Sequence, residues 1–227
     1  MRIQALSDIS SRQENQDNYW ACRLEIENKE YGIICVCDGM GGLDDGKRTS
    51  ARVVESLRKV ITESGSIDGI IETIQDVNDK VYKEHLGKRK SGTTCVLVIS
   101  DGESYTMYNV GDSRCYMFSE RGVIRLSEDH TVLEKMRKTG EEITEEKYKK
   151  YKNVLTRCIG ASQKVVVDTL AGKCGSGDSF LVCSDGFWHT LKADDFISGK
   201  IRNLNEIVTR CKELGENDNI TACLLDI

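Results

Sequence analysis

The chain has 227 residues, 39% of them hydrophobic, with 37 acids against 32 Lys and Arg for a net charge of −5. That is enough apolar material for a sizeable core and excludes disorder as the main state. The acidic balance argues against a nucleic-acid protein held by a basic surface, and the absence of proline excludes PxxP ligands and Pro-rich linkers.

In chain order, strands are expected at 2–8, 18–26 and 31–37. From about Thr49 the period becomes helical: Val53, Val54, Leu57, Val60 and Ile61 form one apolar stripe, and Ile67, Ile70, Ile71, Ile74, Val77 and Val81 form a second. Strands return at Thr93 to Ile99 and Tyr105 to Val110 around an Asp101-Gly102 turn. A second hairpin spans Ser113 to Ser119 and Gly122 to Leu126. Residues 132–152 read as a charged helix anchored by Leu133, Met136 and Ile143. Strands at 164–171 and 179–184, a helix through Leu204, Ile207, Val208, Cys211 and Leu214, and a strand from Ile220 to Leu225 finish the chain. Hairpins alternating with helices indicate an α+β fold of antiparallel sheets covered by helices, in a single domain over 1–227.

Ten cysteines would suit a disulfide scaffold, but the first residues form no leader with an apolar centre and the spacings contain no C-x-x-C. A cytoplasmic protein with buried thiols and no zinc site is expected, because free Cys packs as a small hydrophobe. No run of about 18 apolar residues is present to span a membrane.

Four Asp-Gly pairs occur. Asp101-Gly102 reads as a hairpin turn and Asp68-Gly69 as a helix cap. Asp38-Gly39 and Asp185-Gly186 instead end apolar strands, and Gly39-Met40-Gly41-Gly42 lets the backbone come close to whatever Asp38 holds. Asp112 and Asp218 also stand at strand boundaries. If these ends converge, like charges cannot all stay ionised without cations. Oxygen donors with no Cys or His suit hard Mg²⁺ or Mn²⁺. A pair of such ions could activate water for attack on phosphorus. The glycine stretch gives neither G-x-G-x-x-G nor a following G-K-[ST], which argues against a nucleotide loop.

Taken in order, Arg12 to Asp17 (R-x-x-N-x-D), Asp38 to Gly42 (D-G-M-G-G), Ser91 to Thr94 (S-G-T-T) and Gly111 to Arg114 (G-D-S-R) resemble motifs of the metal-dependent protein phosphatases, the type 2C serine/threonine phosphatases. Asp129 to Thr131, Leu155 to Gly160, Ser184 to Gly186 and Asp218 to Thr221 continue the resemblance. It implies a sandwich of two antiparallel sheets, each flanked by a helix pair, four layers in αββα order. The activity implied is hydrolysis of phosphoserine and phosphothreonine by a water activated by two metal ions, Mn²⁺ or Mg²⁺. Asp38 would bridge the ions, Gly39 offer its carbonyl, and Asp185 and Asp218 complete the first site; Asp112 would serve a weaker third. Arg12 would hold the phosphate and Asp17 orient the water, with a mobile flap near 135–153. Partners would be phosphorylated proteins, substrates of a serine/threonine kinase, met by a monomer. Met40 and the compact length look more like bacterial members.

Some positions depart from the pattern. Gln16 stands where many members have Glu, Met40 where some have a histidine acid, His189 where a carboxylate often serves the third ion, and Lys47 where Glu is usual. These motivate a competing expectation, a pseudophosphatase that binds phosphoproteins without turnover; the complete set Asp38, Asp185 and Asp218 opposes it. His85 is expected on the surface and His130 in a structural hydrogen bond.

Overall fold

The computed structural model describes residues 1–41, 45–86, 91–197, 201 and 203–227. Gly42 of the Asp38 motif lies outside them. The elements are β1 (Arg2–Asp8), β2 (Asn18–Ile26), β3 (Lys29–Cys37), β4 (Gly39–Met40), α1 (Asp45–Ser64), α2 (Ile70–Glu84), β5 (Gly92–Thr93), β6 (Cys95–Ser100), β7 (Ser104–Val110), β8 (Arg114–Ser119) and β9 (Gly122–Arg125). They continue with α3 (Val132–Lys138), α4 (Glu145–Tyr151), β10 (Asp168–Lys173), β11 (Ser179–Cys183), α5 (Asp185–Trp188), α6 (Ala193–Ile197), α7 (Leu204–Glu213) and β12 (Ile220–Asp226).

Among the described residues two five-stranded antiparallel sheets form, in the orders β1-β12-β11-β8-β9 and β10-β7-β6-β3-β2, beside the small β4-β5 pair. The pleat of β3 shows how one strand serves two layers, since successive side chains point to opposite faces. Ile34 and Val36 meet Val182, Cys223 and Leu225 between the sheets. Ile33, Cys35 and Cys37 face Val53, Leu57 and Ile61 of α1 and Ile74 and Val81 of α2. Each such fully buried aliphatic side chain contributes roughly 1.5–3 kcal/mol. On the other face, Leu181, Ile220 and Leu224 pack against Phe187, Phe196, Ile207 and Cys211. The αββα layering is therefore present, and among the described residues the second outer layer is α7 with the short α5 and α6.

Several local expectations are corrected. Asp68 does not cap α2: Gly69 occupies the N-cap with φ 77° and no side-chain bond, while the Asp68 carboxylate accepts from Ser66 Oγ at 2.9 Å. The helix expected over 132–152 breaks into α3 and α4 at Gly140 (φ 70°), and only Leu133 of it is buried. The strand expected at 164–171 starts at Asp168. His85 is buried, its Nδ1 2.8 Å from the Val81 carbonyl and its Nε2 3.9 Å from Asp45. His130 does make the structural bond: Gly111 N–H donates to its Nδ1 at 2.9 Å, and its Nε2 meets Asp168 at 2.9 Å.

Strand directions place the acids. β3 and β7 both pair antiparallel with β6, so their C-terminal ends, leading to Asp38 and Asp112, share one end of the sandwich. In the facing sheet Cys183 of β11 pairs with Ala222 of β12, which puts Asp185 beside Asp218.

Candidate metal and active site

A cavity of about 550 Å³ opens at that end, lined among others by Arg12, Gln16, Asp38, Gly39, Met40, Asp112, Asn153, Asp185 and Asp218. The structure thus gathers every expected metal-site residue into one volume. Asp17 is the exception among the site residues: it is buried behind the wall, accepting from Ser184 Oγ at 2.8 Å. His189 does not line the cavity; it is exposed, with Nδ1 3.7 Å from Glu216. Asn153 and Leu155 bring the end of the 135–153 segment to the rim.

The backbone at Asp38 is held from both sides. Its N–H donates to Thr94 Oγ1 at 2.9 Å, and its carbonyl accepts from Thr94 N–H and Thr93 Oγ1, each at 2.9 Å. This is why the run expected from Thr93 to Ile99 is interrupted at Thr94: that residue turns to Asp38 and to Ser113, whose hydroxyl is 2.6 Å away. A Cβ on Gly39 would meet the Gln16 carbonyl at 2.6 Å and the Gly46 carbonyl besides, so only glycine lets β4 pass there. Gly39→Ala is expected to destabilise the fold by roughly 1–3 kcal/mol, the usual cost of overpacking. The check is thermal denaturation beside the parent protein, and an unshifted midpoint would refute this close approach.

Electrostatics separate these acids from turn residues. Burial pushes Asp38 well above the usual carboxylate range, and the charges of Asp17, Asp185, Asp112 and Asp218 add to it. Burial and the charge of Asp218 lift Asp185 to about 6, against a hydrogen bond with Asp38, and burial with the charges of Asp185 and Asp129 lifts Asp112 to about 8. Asp17 rises to about 7, mainly through burial, against the hydrogen bonds of Ser184 and Thr221. Asp185 Oδ1 is buried with no hydrogen-bond partner. A buried acceptor without a donor, amid repelling carboxylates, is the environment a hard divalent cation relieves. The residues present fit Mg²⁺ or Mn²⁺.

Arg12 is engaged. Its Nε and Nη2 donate to the two oxygens of Asp218 at 3.0 and 2.7 Å, a bidentate fork on a residue expected to be a metal ligand. Lys47, a departure without an account from sequence, pairs with Glu14 at 3.4 Å and offsets an acid that lines the cavity.

Sequence reasoning missed the supporting shell. Asn219 donates to the carbonyls of Ile9 and Glu14 at 3.0 and 3.1 Å and accepts from Gln16 N–H at 2.9 Å, tying down the loop that carries Arg12. Trp188 Nε1 donates to the Asp112 carbonyl at 3.1 Å while Arg114 stacks on its ring, 3.3 Å from the centroid. Thr94 and Asn219 sit inside the Ser91 to Thr94 and Asp218 to Thr221 motifs, which marked the segments but not their partners.

Comparison with known proteins agrees with this geometry. Residues 9–214 match the family described as protein phosphatase 2C. The serine/threonine phosphatase stp of Listeria monocytogenes serotype 4b is 32% identical over 95% of this chain and 91% of its own length. Protein phosphatase PhpP of Streptococcus pneumoniae is 26% identical over 100% of this chain and 98% of its own. A solved serine/threonine phosphatase of S. agalactiae superposes with a TM-score of 0.84 at 27% identity, covering 98% of each chain. With a family match over most of its length and end-to-end identity to a bacterial relative, the chain belongs to the protein phosphatase 2C family.

Proposed function

We propose how this metal-dependent serine/threonine protein phosphatase works: it hydrolyses phosphoserine and phosphothreonine on proteins in one step at the Asp38 cavity. The observation that carries the proposal is the convergence of Asp38, Asp112, Asp185 and Asp218, with Asp185 Oδ1 lacking any donor. Asp38, the Gly39 carbonyl, Asp185 and Asp218 would hold two Mn²⁺ or Mg²⁺ ions, with the Gly39 carbonyl on the second and Asp185 and Asp218 on the first, and Asp112 would serve a weaker third. When bound, such ions supply Lewis-acid charge to the phosphoryl oxygens and acidify a water.

The chain's own residues do the rest. Asp17, held by Ser184 behind the wall, would orient the attacking water through Asp38, on whose carboxylate its charge acts. Arg12 turns its fork from Asp218 to the phosphoryl oxygens, whose geometry it matches equally well. Met40 lines the cavity but has no proton to give, so the proton for the leaving serine or threonine oxygen comes from water or from another group. We assign the whole chain to one catalytic unit, with residues 135–153 as a flap over the rim. A monomer suffices, because one chain supplies the entire lining. All ten cysteines are free, which supports a reducing, cytoplasmic setting, and no helix among the described residues is long and apolar enough to cross a membrane. The pseudophosphatase reading gains nothing: Gln16 lines a cavity whose acids are complete, and Lys47 is accounted for by Glu14.

Incubation with phosphoserine and phosphothreonine peptides in millimolar Mn²⁺ is expected to release phosphate, and a chelator to stop it. Peptide binding without turnover would refute the catalytic reading. Arg12→Ala separates two effects of opposite sign. KM for a phosphopeptide should rise about tenfold or more, the loss of one charge-assisted fork. Calorimetry should show Mn²⁺ binding unchanged or tighter, because Asp218 is freed; weakened Mn²⁺ binding with unchanged KM would invert the assignment.

A further inference from the structure

Beneath Asp38 lies a second cluster that this reaction does not use. The Sγ atoms of Cys35, Cys37 and Cys95 all lie within 4.8 Å of one another, with Cys35 and Cys37 3.9 Å apart. Both project from the same face of β3. The β3–β6 register, with Val36 opposite Val96, brings Cys95 of the next strand alongside. All three are fully buried, in a core whose other members include Val53, Leu57, Leu97 and Ile159. No carboxylate or imidazole joins the group among the described residues. The C-x-x-C criterion could not find this set, because it is assembled across two strands.

Donor number and charge decide what such a site holds. Three sulfurs without a fourth donor do not meet the tetrahedral preference of structural zinc. Three thiolates around a monovalent or divalent cation would also leave net negative charge in an apolar interior, where an uncompensated charge is strongly disfavoured. A trivalent, three-coordinate, thiophilic centre leaves none. We infer that Cys35, Cys37 and Cys95 form a three-thiol site for a trivalent metalloid, with arsenous acid as its probe. The reaction balances without redox change: three S–H and three As–OH bonds break, three S–As bonds form, and the thiol protons leave with the hydroxides as three waters.

Capture has a route to the catalytic end. Cys37 is joined directly to Asp38, and Cys95 to Thr94, whose hydroxyl and N–H hold the Asp38 backbone. Drawing the three sulfurs onto one centre pulls on both attachments, so arsenic uptake lowers turnover; this consequence, unlike the binding itself, rests on the catalytic reading of Asp38.

The test uses the full chain, reduced with a phosphine and incubated for hours with arsenite, since a closed core admits ligands only as it opens. After removal of free arsenite, native mass spectrometry should show one arsenic gained and three hydrogens lost, with sulfur-to-arsenic absorption in the near ultraviolet. Cys95→Ala, and separately Cys35→Val, should abolish retention. The double variant Cys22→Ser/Cys174→Ser, which removes the two more exposed thiols, should retain it. Circular dichroism establishes that each variant is folded, and two independent core variants keep the test decisive if one is not. No retention by the parent, or retention unchanged in both core variants, overturns the site. Turnover of the arsenic-free protein is measured alongside, so a failed catalytic reading is distinguished from a failed thiol site. Arsenic retained with full turnover would overturn the coupling to Asp38.

Discussion

Asp38→Asn is expected to lower Mn²⁺-dependent turnover of a phosphopeptide by roughly 10⁴-fold, yet leave the metal-free protein more stable than the parent at pH 8. The first effect follows from position. Asp38 stands at the C-terminal end of β3, facing Asp185, Asp112 and Asp218 across the cavity, and is the residue assigned to both ions. Losing a bridging carboxylate removes several kcal/mol of charge stabilisation, and each 1.36 kcal/mol is tenfold in rate. The second follows from repulsion. In the metal-free protein burial and the charges of four neighbouring acids oppose the Asp38 carboxylate, and an isosteric amide relieves that opposition while the backbone bonds to Thr94 remain. A gain on the order of 1–2 kcal/mol is in the range for removing a functional strain. Kinetics under saturating Mn²⁺ and urea denaturation in chelator measure the two. Turnover within tenfold of the parent would remove Asp38 from the metal site, and a loss of stability would show that its charge is satisfied by the protein itself.

How much of this was legible in the sequence depends on which physical rule applied. Strand-end acids were legible because β3 and β11 are buried on both faces and read as unbroken apolar runs, so an aspartate ending one is conspicuous. Their convergence was not legible from residues alone, because it depends on pairing β3 and β7 to β6 and β11 to β12, partners far apart in the chain. The ordered motifs supplied that step by resemblance. The helix over 132–152 was misread as continuous because its charged pattern has the right period; Gly140 and the single buried anchor Leu133 are what divide it. His85 looked like a surface residue because its neighbours are polar, whereas its ring folds back onto Val81. Asn219 and Thr94 were invisible as positioning residues for a related reason: a side-chain amide or hydroxyl declares its hydrogen-bonding capacity, but its partner is chosen by tertiary structure.

Metal-free protein is expected to lose stability as the pH rises from 5 to 8, the reverse of ordinary acid denaturation. Asp185, Asp17 and Asp112 have pKa values of about 6, 7 and 8 in the fold, against an ordinary carboxylate value near 3.9 in the unfolded chain. Between those values the native state binds more protons than the unfolded state, so stability falls with rising pH. The contribution is whole below about pH 4 and disappears as the pH passes through 6 to 8. Asp8 and Asp101 shift the opposite way, but both are ionised in the folded and unfolded chain throughout pH 5–8 and add no slope there. His130, lowered by burial, gains stability as the pH rises through its unfolded value near 6.5. Cys95, held down to about 5 by hydrogen bonds with Cys35 and Cys37, acts in the same direction; two groups then oppose at least three raised acids, with Asp38 raised besides, so the net decline stands, on the order of 2–4 kcal/mol for coupled sites. Saturating Mg²⁺ should cancel it, because a cation bound only by the fold keeps the carboxylates ionised and stabilises by mass action. Urea denaturation at pH 5, 6, 7 and 8, in chelator and in Mg²⁺, measures both lines. If the chelator line is flat, or if the two lines stay parallel, the acids at the end of the sandwich are not the shared cation site the geometry describes. If the lines diverge as the pH rises, the repulsion that weakens the empty fold is the same charge that binds the ions.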